Sequence, residues 1–253
     1  MAVSQPRVER LAAARQAKLI DRYPHWWLFA LSLASWAALV FAWQSAVRGL
    51  DLTALGALCG RTARQSEPFP LSPASVLMLC AMILPLTIGG AKLAAERSLR
   101  FRRQRSIAWY VSGYVSVWIA MAVALAIAAN EVLAGLGPTA INGLCVALFL
   151  AAAAFRWHSL HRLASATCHD VQPLAPLGAR ADISCLRYGA HHATACFVTC
   201  GLATAAAFLS RYPMAWMTVT AALSYMERYR LPVASTLPSA ALVLVALGNL
   251  IGF

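Results

Sequence analysis

Residues 187–200 read RYGAHHATACFVTC, and the apolar run continues as GLATAAAFLS to residue 210. Between Ala190 and Ser210 there is no Asp, Glu, Lys or Arg, and such a run, about 20 residues long, suits a helix that crosses a bilayer. Wound into that helix, His192, Cys196 and Cys200 recur at steps of four. An imidazole and two thiols therefore stack on one face, with Gly189 just below. Imidazole and thiolate are ligands for copper and zinc, and a histidine in hydrocarbon is costly unless something satisfies it. Packing is the competing reading for Cys196 and Cys200, because buried cysteine also behaves as a small hydrophobe.

The rest of the chain reads the same way. Hydrophobic residues make up 60% and charged residues 12% of 253, with a mean hydropathy of +0.65. The composition predicts an all-α, polytopic transmembrane helix bundle of about seven spans. Their expected positions are His25–Val47, Ala74–Ala95, Ile107–Ala129, Thr139–Phe155, Ala190–Ser210, Met214–Met226 and Val233–Phe253. Residues 1–24 form a basic cytoplasmic amino-terminal segment, expected to be retained with no signal peptide removed. Residues 25–253 form a single transmembrane helical domain. Arg48 to Pro73, rich in proline, is the longest external loop.

A net charge of +12 would suit nucleic acid if it lay on one soluble face. It lies between apolar runs instead, above all at Arg97, Arg100, Arg102, Arg103 and Arg105, where the positive-inside rule accounts for it. Of 21 lysines and arginines this topology leaves only Arg48, Arg61, Arg64 and Arg211 outside, so the amino terminus is cytoplasmic. The bilayer is the expected partner and nucleic acid is not. Seven cysteines are too scattered for a disulfide framework, and none is expected.

A second informative stretch, RWHSLHRLASATCHD, spans residues 156–170. His158 and His161 share a face if the fourth helix continues, and Cys168 and His169 follow. A helix dipole would also favour histidines at this end, which is the structural alternative. Because the fourth span ends where the fifth begins, His158, His161, Cys168, His191, His192 and Cys196 should lie near one another. Met78 and Met82 read as core filler, and Pro85 should kink their helix. Tyr110, Tyr114 and Trp118, beside Gly113, read as a packing stripe, and Glu227 should pair with a basic neighbour. No phosphate-cradling loop or hydrolase nucleophile motif is present, and the spans carry almost no ionisable residue near their centres. Transport is therefore not expected, and catalysis stays open in one form: a metal site open to substrate would suit an oxidase or oxygenase.

The chain resembles bacterial predicted metal-binding integral membrane proteins grouped as domain of unknown function 2182. The resemblance covers about residues 75–230. It rests on MLCAMILP (78–85), GYVSVW (113–118), WHSLHRLASATCHDVQP (157–173), LRYGAHHATAC (186–196) and MAWMTVTAALSYMER (214–228). Members tend to carry more cysteines. Cys168 and Cys196 match two of them, whereas Ala164, His192 and Ala195 stand where others would be. The resemblance implies an integral protein of a bacterial inner membrane with a metal site. Joined to the residue reading, it points to copper, with zinc as alternative. His192, Cys196 and Cys168 would be the primary ligands, and His158, His161, His191 and Cys200 the secondary ones. A metal-donating or metal-receiving membrane protein is the expected partner. An accessory or structural subunit with a degenerate metal site is the alternative.

Overall fold

The computed structural model describes residues 23–47, 73–133, 135–168, 170, 172–175, 177–210, 213–228 and 236–251. The basic amino-terminal segment, nearly all of the proline-rich loop with Cys59, and His169 lie outside the described residues. The described chain is helical throughout: α1 (Trp26–Val47), α2 (Pro73–Glu96), a 3-10 turn (Arg100–Arg102), α3 (Arg103–Leu133), α4 (Pro138–Phe155), α5 (Ser159–Thr167), α6 (Gly178–Leu209), α7 (Pro213–Arg228) and α8 (Thr236–Ile251). No strand occurs among the described residues.

Four stretches are long and apolar enough to cross a membrane: Val76–Glu96, Arg100–Ala128, Pro138–Phe155 and Gly178–Leu209. Trp26–Phe41 and Pro238–Asn249 are apolar but shorter. Large apolar side chains face outward on these helices, among them Leu33 (72% exposed), Phe41 (67%) and Leu244 (68%). A water-soluble protein rarely leaves so much of this surface uncovered, whereas lipid is a good solvent for it. Proline opens α4 at its first turn, where a missing N–H costs nothing. Pro85 lies inside α2, which runs on to Glu96.

The largest helix interface joins α3 to α6, and glycine makes it possible. A Cβ on Gly113 would stand 2.1 Å from the Leu186 carbonyl oxygen, and one on Gly189 would stand 2.0 Å from that of Tyr110. The two backbones are thus in direct contact, as small residues allow between membrane helices. Around this seam Tyr110, Tyr114 and Trp118 are fully enclosed. Tyr110 packs on Tyr188 with centroids 5.1 Å apart, and Trp118 meets Phe197 edge-on at 5.6 Å. The aromatic stripe on α3 is a packing surface, as its spacing implied.

The basic residues gather at one end. Trp27 Nε1 donates to Gln104 and Gln104 donates to the Pro24 carbonyl, which joins the start of α1 to the start of α3. Arg102 and Arg105 bind the two oxygens of Asp182 at 2.6 and 2.7 Å, and Arg102 also reaches the Gly178 carbonyl at 3.1 Å. Gly178 itself is left-handed at φ 72°, a conformation glycine adopts without strain. These bonds explain the main departure from expectation. The helix expected from Ala190 begins at Gly178, three turns earlier. The added turns carry Asp182, whose charge is neutralised within the bundle, and bury Cys185 and Tyr188 on the same face.

Replacing Gly113 or Gly189 by alanine forces the α3 and α6 backbones apart, at a cost of at least about 1–3 kcal/mol. A Cβ at Gly89 meets nothing within 4 Å. Thermal unfolding in detergent should therefore show a clear loss for Gly113→Ala and Gly189→Ala and none for Gly89→Ala.

Candidate metal centre

The buried face of α6 carries His192, Cys196 and Cys200, each almost fully enclosed. Helical geometry at steps of four puts the two thiols side by side, and their sulfurs are 3.7 Å apart. Cys200 Sγ donates to the Cys196 carbonyl at 2.8 Å, an i−4 bond that satisfies a thiol within a helix. Cys168 enters from the other side. It caps the carboxyl end of α5, with its N–H on the Ala164 carbonyl at 3.0 Å. Cys168 and Cys196 line one small cavity of about 30 Å³ together with Leu86, Ser165, Thr199, Ser224 and Glu227. That is room for about two water-sized occupants. Cys200 is outside the lining and reaches the cavity only through Cys196, one turn before it on α6.

Glu227 at this cavity is ion-paired with Arg156, the basic neighbour anticipated for it. Arg156 has a side chain only 6% exposed. Burial pulls its guanidinium down to about 10, partly countered by Cys200, so it stays charged at neutral pH.

His192 is engaged at both ring nitrogens. Nε2 lies 2.7 Å from the Cys168 carbonyl oxygen and Nδ1 lies 2.5 Å from the Tyr110 hydroxyl. A carbonyl only accepts, so Nε2 carries a hydrogen, and in the neutral ring Nδ1 accepts from Tyr110 O–H. The ring stacks on Tyr188 at 5.6 Å and meets Tyr114 edge-on at 6.2 Å. Gly90 on α2 leaves the space for this pair, since a Cβ there would stand 2.1 Å from the Tyr110 hydroxyl.

His158 and His161 belong to another helix than the thiol pair, and His191 to another face of α6. α4 stops at Phe155, so His158 and His161 do not continue one helix face. The break follows from capping: His158 is the N-cap of α5, its Nδ1 accepting from the Leu160 N–H at 3.2 Å. Its ring stacks on Phe155, and His161 meets the same phenyl edge-on. His161 is buried, whereas His191 is exposed. Among the described residues no three His, Cys, Asp or Glu side chains are arranged to hold a metal ion, and none of the six described cysteines is in a disulfide. The cavity walls Ser165, Thr199, Ser224 and Glu227 carry no ligand signature in the sequence. A hint existed in the spacing of Met217, Thr220, Ser224 and Glu227, which is that of one helix face.

A family model described as PpoB2, copper chaperone, matches residues 74–251. The chain belongs to the PpoB2 copper chaperone family. No curated protein and no solved structure matches it. The family match spans every element that shapes the thiol cavity, from α2 to α7, and ties the chain to copper, whereas nothing in it favours zinc.

In this copper chaperone family member His161 gives a pH test of the rim. Burial and then the Arg156 charge hold its pKa below the ordinary 6.5. Above pH 6.5 both folded and unfolded chains carry the neutral ring and it contributes no pH dependence. As pH falls below 6.5 the unfolded chain takes up a proton that the folded chain resists, so stability is lost down to the folded pKa. His161→Gln should remove this slope, so that its thermal midpoint gains on that of the parent between pH 7 and 5. A constant difference across that range would contradict the assignment.

Proposed function

We propose that this chain handles copper within a bacterial cytoplasmic membrane. In this reading it holds Cu(I) on Cys196 and Cys200, with Cys168 across the cavity as the third sulfur through which the ion enters and leaves. The basic end of the bundle faces the cytoplasm, following the positive-inside rule. The observation that carries the reading is the meeting of Cys168 and Cys196 at one cavity, with the Cys200 sulfur 3.7 Å from that of Cys196, in a chain of a copper chaperone family. Thiolates are soft ligands that suit Cu(I). With sulfurs 3.7 Å apart, Cys196 and Cys200 could hold one soft ion between them.

Loading is ligand exchange without change of oxidation state. Each thiol that binds releases its proton, and Cu(I) on two thiolates carries one negative charge. Arg156, near Cys200, offsets that charge as the ion arrives. Transfer to a partner then needs an incoming sulfur to bond before an old one leaves, and Cys168 at the end of α5 is the thiol nearest the loop. The partner is a metal-donating or metal-receiving protein of the same membrane.

Elemental analysis of protein purified in mild detergent, without chelators or a histidine tag, tests this directly. After anaerobic incubation with Cu(I), close to one copper per chain is expected, and Cys196→Ala/Cys200→Ala should lose it. Parent protein that stays copper-free, or takes zinc in preference when both are offered, would overturn the reading.

A further inference from the structure

The carbonyl of Cys168 stands at the carboxyl end of α5, where the last carbonyls of a helix have no partner in the helix itself. The donor that reaches it comes from another helix: His192 Nε2, at 2.7 Å. The other nitrogen of the same ring is held by Tyr110 at 2.5 Å, and the ring plane is fixed between Tyr188 and Tyr114. Tyr110 and Gly90 are themselves seated where α2, α3 and α6 meet. The imidazole is therefore held rigidly, and it presents one N–H to the backbone of a residue that carries a cavity thiol.

We propose that His192 is a positioning residue. Through its bond to the Cys168 backbone it holds the third thiol over the Cys196–Cys200 pair, and it does not bind the metal itself. Copper ligation at Nε2 would require loss of the Cys168 bond, and ligation at Nδ1 would require loss of the Tyr110 bond. Either exchange leaves a buried polar group without its partner, a cost that a thiol-only site avoids. Outer partners of this kind orient the groups that bind metal, and their loss commonly weakens metal binding about 10–100-fold. The inference rests on the copper reading above for its affinity readout but not for its geometry.

Two measurements on the full-length protein in detergent decide it. The first is competition for Cu(I) against a water-soluble colorimetric chelator. His192→Ala and Cys168→Ala should each weaken binding about tenfold, and the double variant should be no weaker than Cys168→Ala alone, because both remove the same sulfur. His192→Gln, whose amide N–H can reach the Cys168 carbonyl, should restore most of the loss. Multiplying effects in the double variant, or a glutamine variant as weak as the alanine one, would show direct ligation or simple packing and sink the proposal.

The second measurement needs no metal. The rate at which a maleimide labels Cys168, read by mass spectrometry, should rise severalfold in His192→Ala and return in His192→Gln, while buried Cys145 and Cys185 keep their rates. Equal acceleration of all three would mean general loosening, and an unchanged Cys168 rate would refute the positioning role. If the parent binds no copper, the function proposed above fails and the labelling rates still decide the role of His192.

Discussion

The contact between the α3 and α6 backbones is the constraint on which the rest depends. With Gly113 against the Leu186 carbonyl and Gly189 against that of Tyr110, the two longest described helices lie closer than side chains would allow. Hydrocarbon gives little hydrophobic drive for helices to associate, so close van der Waals contact must supply it. That closeness puts Tyr110 within reach of His192, and it brings Arg102 and Arg105 onto Asp182. The thiol pair is then fixed on a face whose depth and rotation are already set.

Charge is arranged around the same seam. Asp182 and Arg102 are each about 90% enclosed, which is expensive for isolated ions and tolerable only for paired, hydrogen-bonded ones. Arg156 and Glu227 repeat the arrangement between α4 and α7. The Arg156–Glu227 pair borders the cavity and ties α4 to α7, whereas the Asp182 pairs tie α3 to α6 about 20 Å further along α6. A cavity with one wall on α7 and another at the end of α5 needs the first of these ties.

Much of this was legible in the sequence. The apolar runs set the helices, the step of four set the shared face of His192, Cys196 and Cys200, and the spacing of Tyr110, Tyr114 and Trp118 marked their packing face. Glu227 was expected to find a basic partner and found Arg156. The early start of α6 was hidden because RADISCLR reads as polar loop until Asp182 is known to be neutralised by arginines 77 and 80 residues away in sequence. The buried spacing of Ala181, Asp182, Cys185, Tyr188 and His192 was there to be read, but a hydropathy reading counts the charge against burial. The fate of His158 was hidden for another reason. Its side chain caps a helix that local propensity did not separate from α4, and only the chain's turn after Phe155 makes that cap useful.

Position 192 shows how pattern and chemistry can diverge. Spacing puts an imidazole above two thiols, and ligation is the natural expectation for that set. A thiol ends one bond beyond Cβ, whereas the imidazole reaches further and carries two nitrogens on opposite sides of the ring. In this bundle that reach spans the gap between Tyr110 on one helix and the end of α5 on another, with both nitrogens hydrogen-bonded. The rule that a buried histidine must be satisfied is met without metal. What the side chain then contributes is the location of a neighbour's sulfur, a role that depends on where two backbones meet and so has no signature in the spacing of the chain.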